Sequence, residues 1–192
     1  MTFAEIVDAA HDHYLARLHA AVDDAHRAAP HARLVAEPAY RTGDGEIAHE
    51  GFFGAPLRQD LVVFAGDGVR SVEVPAGELA SFAPAQFEWE GVQVTLGSFH
   101  WSDCRVSLAG VGQATAWRPL TAWYDAWFDA HDDHAPLKDG LRGAVHRLGD
   151  PRFSDGSCEL HLDLGSAPAE AFEHLLDALA RLSPTAITIG AT

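Results

Sequence analysis

Apolar residues recur at helical spacing from the start of the chain. Phe3, Ile6, Val7, Ala10, Tyr14, Leu18, Ala21, Val22 and Ala25 form one stripe and predict an amphipathic helix over residues 3–29. Thr2 with Glu5 three residues on reads as a capping box, and Pro30 as the stop. Residues 33–58 lose this period and are punctuated by glycine and proline. Period-two and fully apolar runs follow. Leu61–Ala65 reads as a central strand, and Gly66-Asp67-Gly68 turns it into Val69–Val74. Residues 87–89 and 92–96 read as a hairpin around Glu90-Gly91, with Glu88 turned outward. Cys104, Val106 and Leu108 mark the inner face of a further strand.

Near Pro119 the period returns to helical. Leu120, Trp123, Tyr124, Trp127, Phe128 and His131 make an aromatic stripe, with Asp125, Asp129, Asp132 and Asp133 toward the other side. The last third reads β-β-α-β. Residues 144–148 and 157–164 are the strands, a helix capped by Ser166 follows, and Thr185–Ile189 closes the chain. A strand, helix and strand in ~30 residues predict a parallel crossover. The expectation is a single α+β domain over residues 1–192. It has an antiparallel-rich sheet, a long N-terminal helix, an aromatic central helix and a C-terminal β-β-α-β unit.

Charge narrows the possible partners. The 192 residues carry 13 Lys+Arg and 28 Asp+Glu, a formal charge of −15. That argues against direct nucleic-acid binding, which needs clustered cations. No apolar run approaches a membrane span, and the acidic N-terminus has no signal-peptide pattern. Two cysteines make no disulfide framework. These features predict a cytoplasmic protein with free thiols. A single lysine, Lys138, and no asparagine suggest a GC-rich bacterial source.

Candidate chemistry divides into two classes. The first is non-enzymatic: an acidic face that docks a basic protein partner, most concretely an immunity-type inhibitor of a toxin enzyme, with no cofactor. Asp125, Asp129, Asp132 and Asp133 are its first candidates, and Glu88 and Glu90 its second. The plainer alternative is a solvated acidic surface on a structural or accessory domain.

The second class is a hydrolase that depends on a metal or on histidine and carboxylates. His131 and His134, one turn apart, are weak metal candidates. Glu159, His161 and Asp163 alternate onto one strand face, where they form either acid–base machinery lining a cleft or a solvated sheet face. His146 joins that face if the neighbouring strand has the right register. Cys104, in His100-Trp101-Ser102-Asp103-Cys104, is expected to be inward and inert. Gly110-Val111-Gly112 lacks the third glycine of a dinucleotide loop, and Gly165-Ser166 reads as a plain helix cap. A pocket gathering His and Asp from different elements would favour the enzyme, and a flat acidic face the inhibitor.

Overall fold

A computed structural model describes residues 2–66, 68–78, 82–131 and 140–190. Helix α1 spans Phe3–Ala28, and its N-terminus closes with the Thr2–Glu5 capping box. The glycine- and proline-punctuated stretch after it holds three short strands: β1 (Arg33–Ala36), β2 (His49–Glu50) and β3 (Ala55–Pro56). Then come β4 (Leu61–Ala65) and β5 (Gly68–Val72). Strand β4 is the centre of a three-stranded antiparallel sheet in the order β1-β4-β5, in line with its apolar composition.

The main sheet is larger. Its strands are β6 (Ala85–Trp89), β7 (Val92–Leu96), β8 (Cys104–Ala109), β9 (Arg147–Leu148), β10 (Arg152–Ser154), β11 (Ser157–Asp163) and β12 (Ala186–Ile189). Its order is β10-β11-β8-β12-β7-β6, and β9 also pairs with β11. All pairs are antiparallel except β12 with β7. The β6–β7 turn places Glu90 and Gly91 at φ 48° and 80°, the left-handed pair that a tight hairpin turn requires. Strand β10 lies between the two strands expected at residues 144–148 and 157–164. Its residues have no apolar alternation of their own and are held by pairing to β11.

Helix α2 (Arg118–Phe128) carries Pro119 in its first turn and packs against α3 (Ala169–Ala180). Because β11 and β12 both run antiparallel to β8, they run the same way, and α3 is the crossover between them. Trp123, Tyr124 and Phe128 are buried as the stripe predicts, whereas Trp127 is half-buried against His174. The helix ends at Phe128, and Asp129 takes the left-handed conformation at its C-cap (φ 53°). Helical spacing therefore does not carry on to His131. Residues Asp132, Asp133 and His134 lie outside the described residues.

The main core joins one face of the large sheet to α2, α3 and the first half of α1. A small second cluster of Ala25, Leu61 and Val63 ties the end of α1 to the three-stranded sheet. Thus α1 spans both sheets, and what lies between the sheets is fixed at both ends.

Candidate functional site

Alternation on β11 sorts its side chains. Cys158, Leu160 and Leu162 go into the core, and Glu159, His161 and Asp163 to the opposite face. That opposite face is not simply solvated. The segment from Tyr40 to Ala76 stands over it and leaves a cleft of about 900 Å³. His161 and Asp163 line the cleft on the sheet side, with Ser102, Asp103, Arg147, Asp150 and Arg152. Glu50, Asp60, Glu73 and Val74 line it on the other. Six carboxylates and three arginines contribute to this lining.

His146, buried just ahead of β9, lies behind Asp60 and Asp163, the two cleft-lining residues its ring contacts. Its Nε2 is 2.7 Å from Glu37 Oε1, and its Nδ1 is 3.1 Å from Asp60 Oδ1 and 3.8 Å from Asp163 Oδ2. Carboxylates only accept hydrogen bonds, so both ring nitrogens donate and the ring is an imidazolium. Burial favours the neutral ring, but Asp163, Asp60 and Glu37 outweigh it and raise the pKa to about 10. The same contacts hold Glu37 and Asp60 below the usual carboxylate range against their own burial. Asp163 responds differently. Burial pushes its carboxyl up to about 6, with His146 pulling the other way. About a quarter of its side chain is exposed, more than for Asp60, the other member of the group that lines the cleft.

Each carboxylate is oriented by donors from a separate element. Asp60 accepts from the Tyr14 hydroxyl at 2.7 Å and from the Val74 N–H at 2.6 Å. Asp163 Oδ1 accepts from the Gly165 N–H at 2.9 Å, which leaves Oδ2 facing the imidazole. Glu37 accepts from the N–H groups of Arg142 and Ser166 and from the Ser166 hydroxyl. Ser166 is therefore not the cap of α3, as the sequence suggested. The cap is Pro168, and the Ser166 hydroxyl is committed to Glu37. Glu37 itself is fully buried at φ 53°, an unfavourable backbone for a side-chain-bearing residue, and is locked by Arg58 donating to its carbonyl. Arg58 also donates to the carbonyls of Phe128 and Asp129, closing the end of α2. Gly165, at φ 52°, lets the backbone approach so closely that a Cβ there would fall 2.3 Å from His146 Cδ2.

Among the described residues, Asp60, His146 and Asp163 form the one group of three donors that can hold a metal ion, with donor atoms all within 4.8 Å of one another. Atoms bound at about 2.1 Å to one ion stand roughly 3.0–3.5 Å apart. The Nδ1–Asp60 distance already fits this range, and the Asp163 oxygen is slightly farther out. An ion held here would take the place of the Nδ1 proton, and Glu37, on Nε2, would be the outer partner that orients the ring.

The acidic-face candidates are dispersed. Asp125 is exposed on α2, Asp129 is buried, and Glu88 and Glu90 are exposed at the β6–β7 hairpin. Asp125, Asp129 and His131 line a second hollow of about 680 Å³ with His49 and Phe53. Cys104 and Cys158 are buried and free, and burial pushes the Cys158 thiol up to about 11.

The sequence pointed to His161, Asp163 and the possible contribution of His146. It gave no sign of Glu37 or Asp60, which come from the aperiodic stretch and the edge of β4. Tyr14 was legible only as part of a core stripe. Comparison with known protein families, curated proteins and solved structures finds no match.

Proposed function

We propose that the cleft is the active site of a hydrolase in which Asp60, His146 and Asp163 hold a divalent cation. The observation that carries this reading is the convergence of three donor atoms from three separate segments, two of them, Asp60 and Asp163, from residues that line the cleft. Three protein ligands with the cleft on the remaining side match the pattern of catalytic rather than structural metal sites. Asp60, His146 and Asp163 would hold the ion, which when bound would lower the pKa of a water molecule and so supply the nucleophile for hydrolysis. His161, 3.3 Å from Asp103 and 2.9 Å from Glu159, stands on the same strand face as Asp163 and is placed to carry a proton. One imidazole and two carboxylates suit Zn²⁺ or Mn²⁺.

The test is turnover of chromogenic ester, phosphoester and amide probes by protein loaded with Zn²⁺ or Mn²⁺. The expected result is hydrolysis that a chelator abolishes and that Asp163→Asn, which removes one of the three ligands, abolishes as well. Turnover indifferent to both, or no turnover of any probe, overturns the reading.

A second reading is the docking of a basic protein on the acidic surface, in the manner of an immunity-type inhibitor. The charge of −15 and the exposure of Asp125, Glu88 and Glu90 support it. Asp129 adds nothing to such a surface because it is buried.

A further inference from the structure

Two arginines in the cleft call for a partner. Arg147 and Arg152 both line it, both are exposed, and neither makes an ion pair among the described residues. This is unexpected in a chain with 28 acidic residues against 13 basic ones, and in a cleft that itself carries six carboxylates. Strand register explains how they are placed. Arg147 on β9 is the cross-strand partner of Asp163, and Arg152 on β10 is the partner of Glu159. Directly paired residues share a sheet face, so both guanidinium groups rise from the face that carries Glu159, His161 and Asp163. The short strands β9 and β10 exist only through their pairing with β11, and together they hold the two cations on either side of His161 along the row.

We propose that Arg147 and Arg152 bind the phosphate group of a phosphoester substrate beside the Asp60–His146–Asp163 centre. This deepens the hydrolase reading and rests on it for the chemistry, although not for the binding. A guanidinium presents a planar fork that matches two phosphate oxygens, and it keeps its charge at all relevant pH values. In the reaction, the oxygen of water bonds to phosphorus and the ester P–O bond breaks. The leaving alcohol takes up the proton that the water releases. One water is consumed, and neither an oxidant nor a reductant is involved. The surrounding carboxylates Glu50, Glu73 and Asp150 disfavour a substrate with further negative charge, so the class indicated is a phosphate ester of a neutral or cationic alcohol.

The experiment is calorimetric titration of the full chain with inorganic phosphate, in protein with and without Zn²⁺, with acetate as the comparison anion. Wild type, Arg147→Gln, Arg152→Gln and the double variant are compared, and Zn²⁺ binding is measured in each. The expected result is phosphate binding that each substitution weakens roughly tenfold or more. Zn²⁺ binding should stay unchanged in all variants, and acetate should bind more weakly than phosphate. Phosphate binding that the double variant retains overturns the proposal, as does equal affinity for acetate or no phosphate binding in either form of the protein. Failure of the metal reading shows separately, as the absence of Zn²⁺ binding in wild type. The dependence of phosphate binding on the arginines is still decided by the metal-free titration.

Discussion

At the residue scale the molecule is organised around one buried charge. His146 is the cation that contacts both Glu37 and Asp60 and lets them remain ionised out of water. Removing one partner of such a group leaves uncompensated buried charge. His146→Leu is expected to destabilise the metal-free protein by ~3–5 kcal/mol in urea unfolding. A midpoint within error of wild type would show that the network carries little stability. Gly165→Ala makes an independent check. The left-handed backbone and the close approach of His146 predict a loss of about 1–3 kcal/mol, and a neutral result would contradict the tight packing. The thiols give a third. Burial of Cys104 and the raised pKa of Cys158 predict slow labelling of the native protein at pH 8, and labelling at the rate of a free thiol would refute it. The sequence exposed only part of this scale. His161 and Asp163 were visible because strand alternation assigns faces. Glu37 and Asp60 were not, because their positions follow from backbone geometry without a period, and a buried carboxylate looks the same in sequence as a solvated one.

At the scale of elements, the periodic segments were legible and the short ones were not. The three helices, the β6–β7 hairpin and the crossover through α3 follow from hydrophobic spacing strong enough to survive any tertiary context. Strands β2, β3, β9 and β10 have two or three residues each, too few to show a period, and exist through their partners. Two of them carry or adjoin the cleft arginines and His146, which is why the site was less readable than the fold. The aromatic helix also separates packing from exposure. Trp123 is buried and donates its Nε1–H to the Ala171 carbonyl at 2.9 Å, whereas Trp127 is half-buried. Trp123→Ala is expected to cost ~3–5 kcal/mol, and Trp127→Ala clearly less. Chemical denaturation of the two variants checks the order, and a reversed order would mean that the α2–α3 contact is misassigned.

At the scale of the whole molecule, charge and architecture act together. α1 fastens the three-stranded sheet to the large sheet, and the cleft forms where the segment joining them crosses the polar face of β11. A chain charge of −15 keeps copies apart near neutral pH. The formal charge of −15 counts every histidine as neutral and becomes −3 when all 12 are protonated; His146 already carries its proton at neutral pH, so the other histidines account for the change, and the isoelectric point is about 5.0. Light scattering should therefore report rising self-association as pH falls from 7.5 toward 5, and a monodisperse solution at pH 5 would contradict it. If a basic partner docks on the acidic surface, its association rate should fall as salt is raised, because exposed charges are screened beyond ~8 Å at 0.15 M. Changing Asp125, Glu88 and Glu90 together to their amides, which leaves a formal charge of −12, should weaken that salt dependence, and a rate that the triple variant leaves unaltered would exclude these residues.

The central claim is that Asp60, His146 and Asp163 form one cation site, and direct measurement of metal stoichiometry tests it best. Purified chain, stripped with chelator and without an affinity tag, is dialysed against Zn²⁺ or Mn²⁺ and analysed for bound metal. The account predicts one tightly held ion per chain. It also predicts loss of that ion in Asp163→Asn, a variant whose partly exposed side chain makes it the ligand least costly to change. No bound ion in a protein that remains folded, or an ion that Asp163→Asn retains at full affinity, would contradict it.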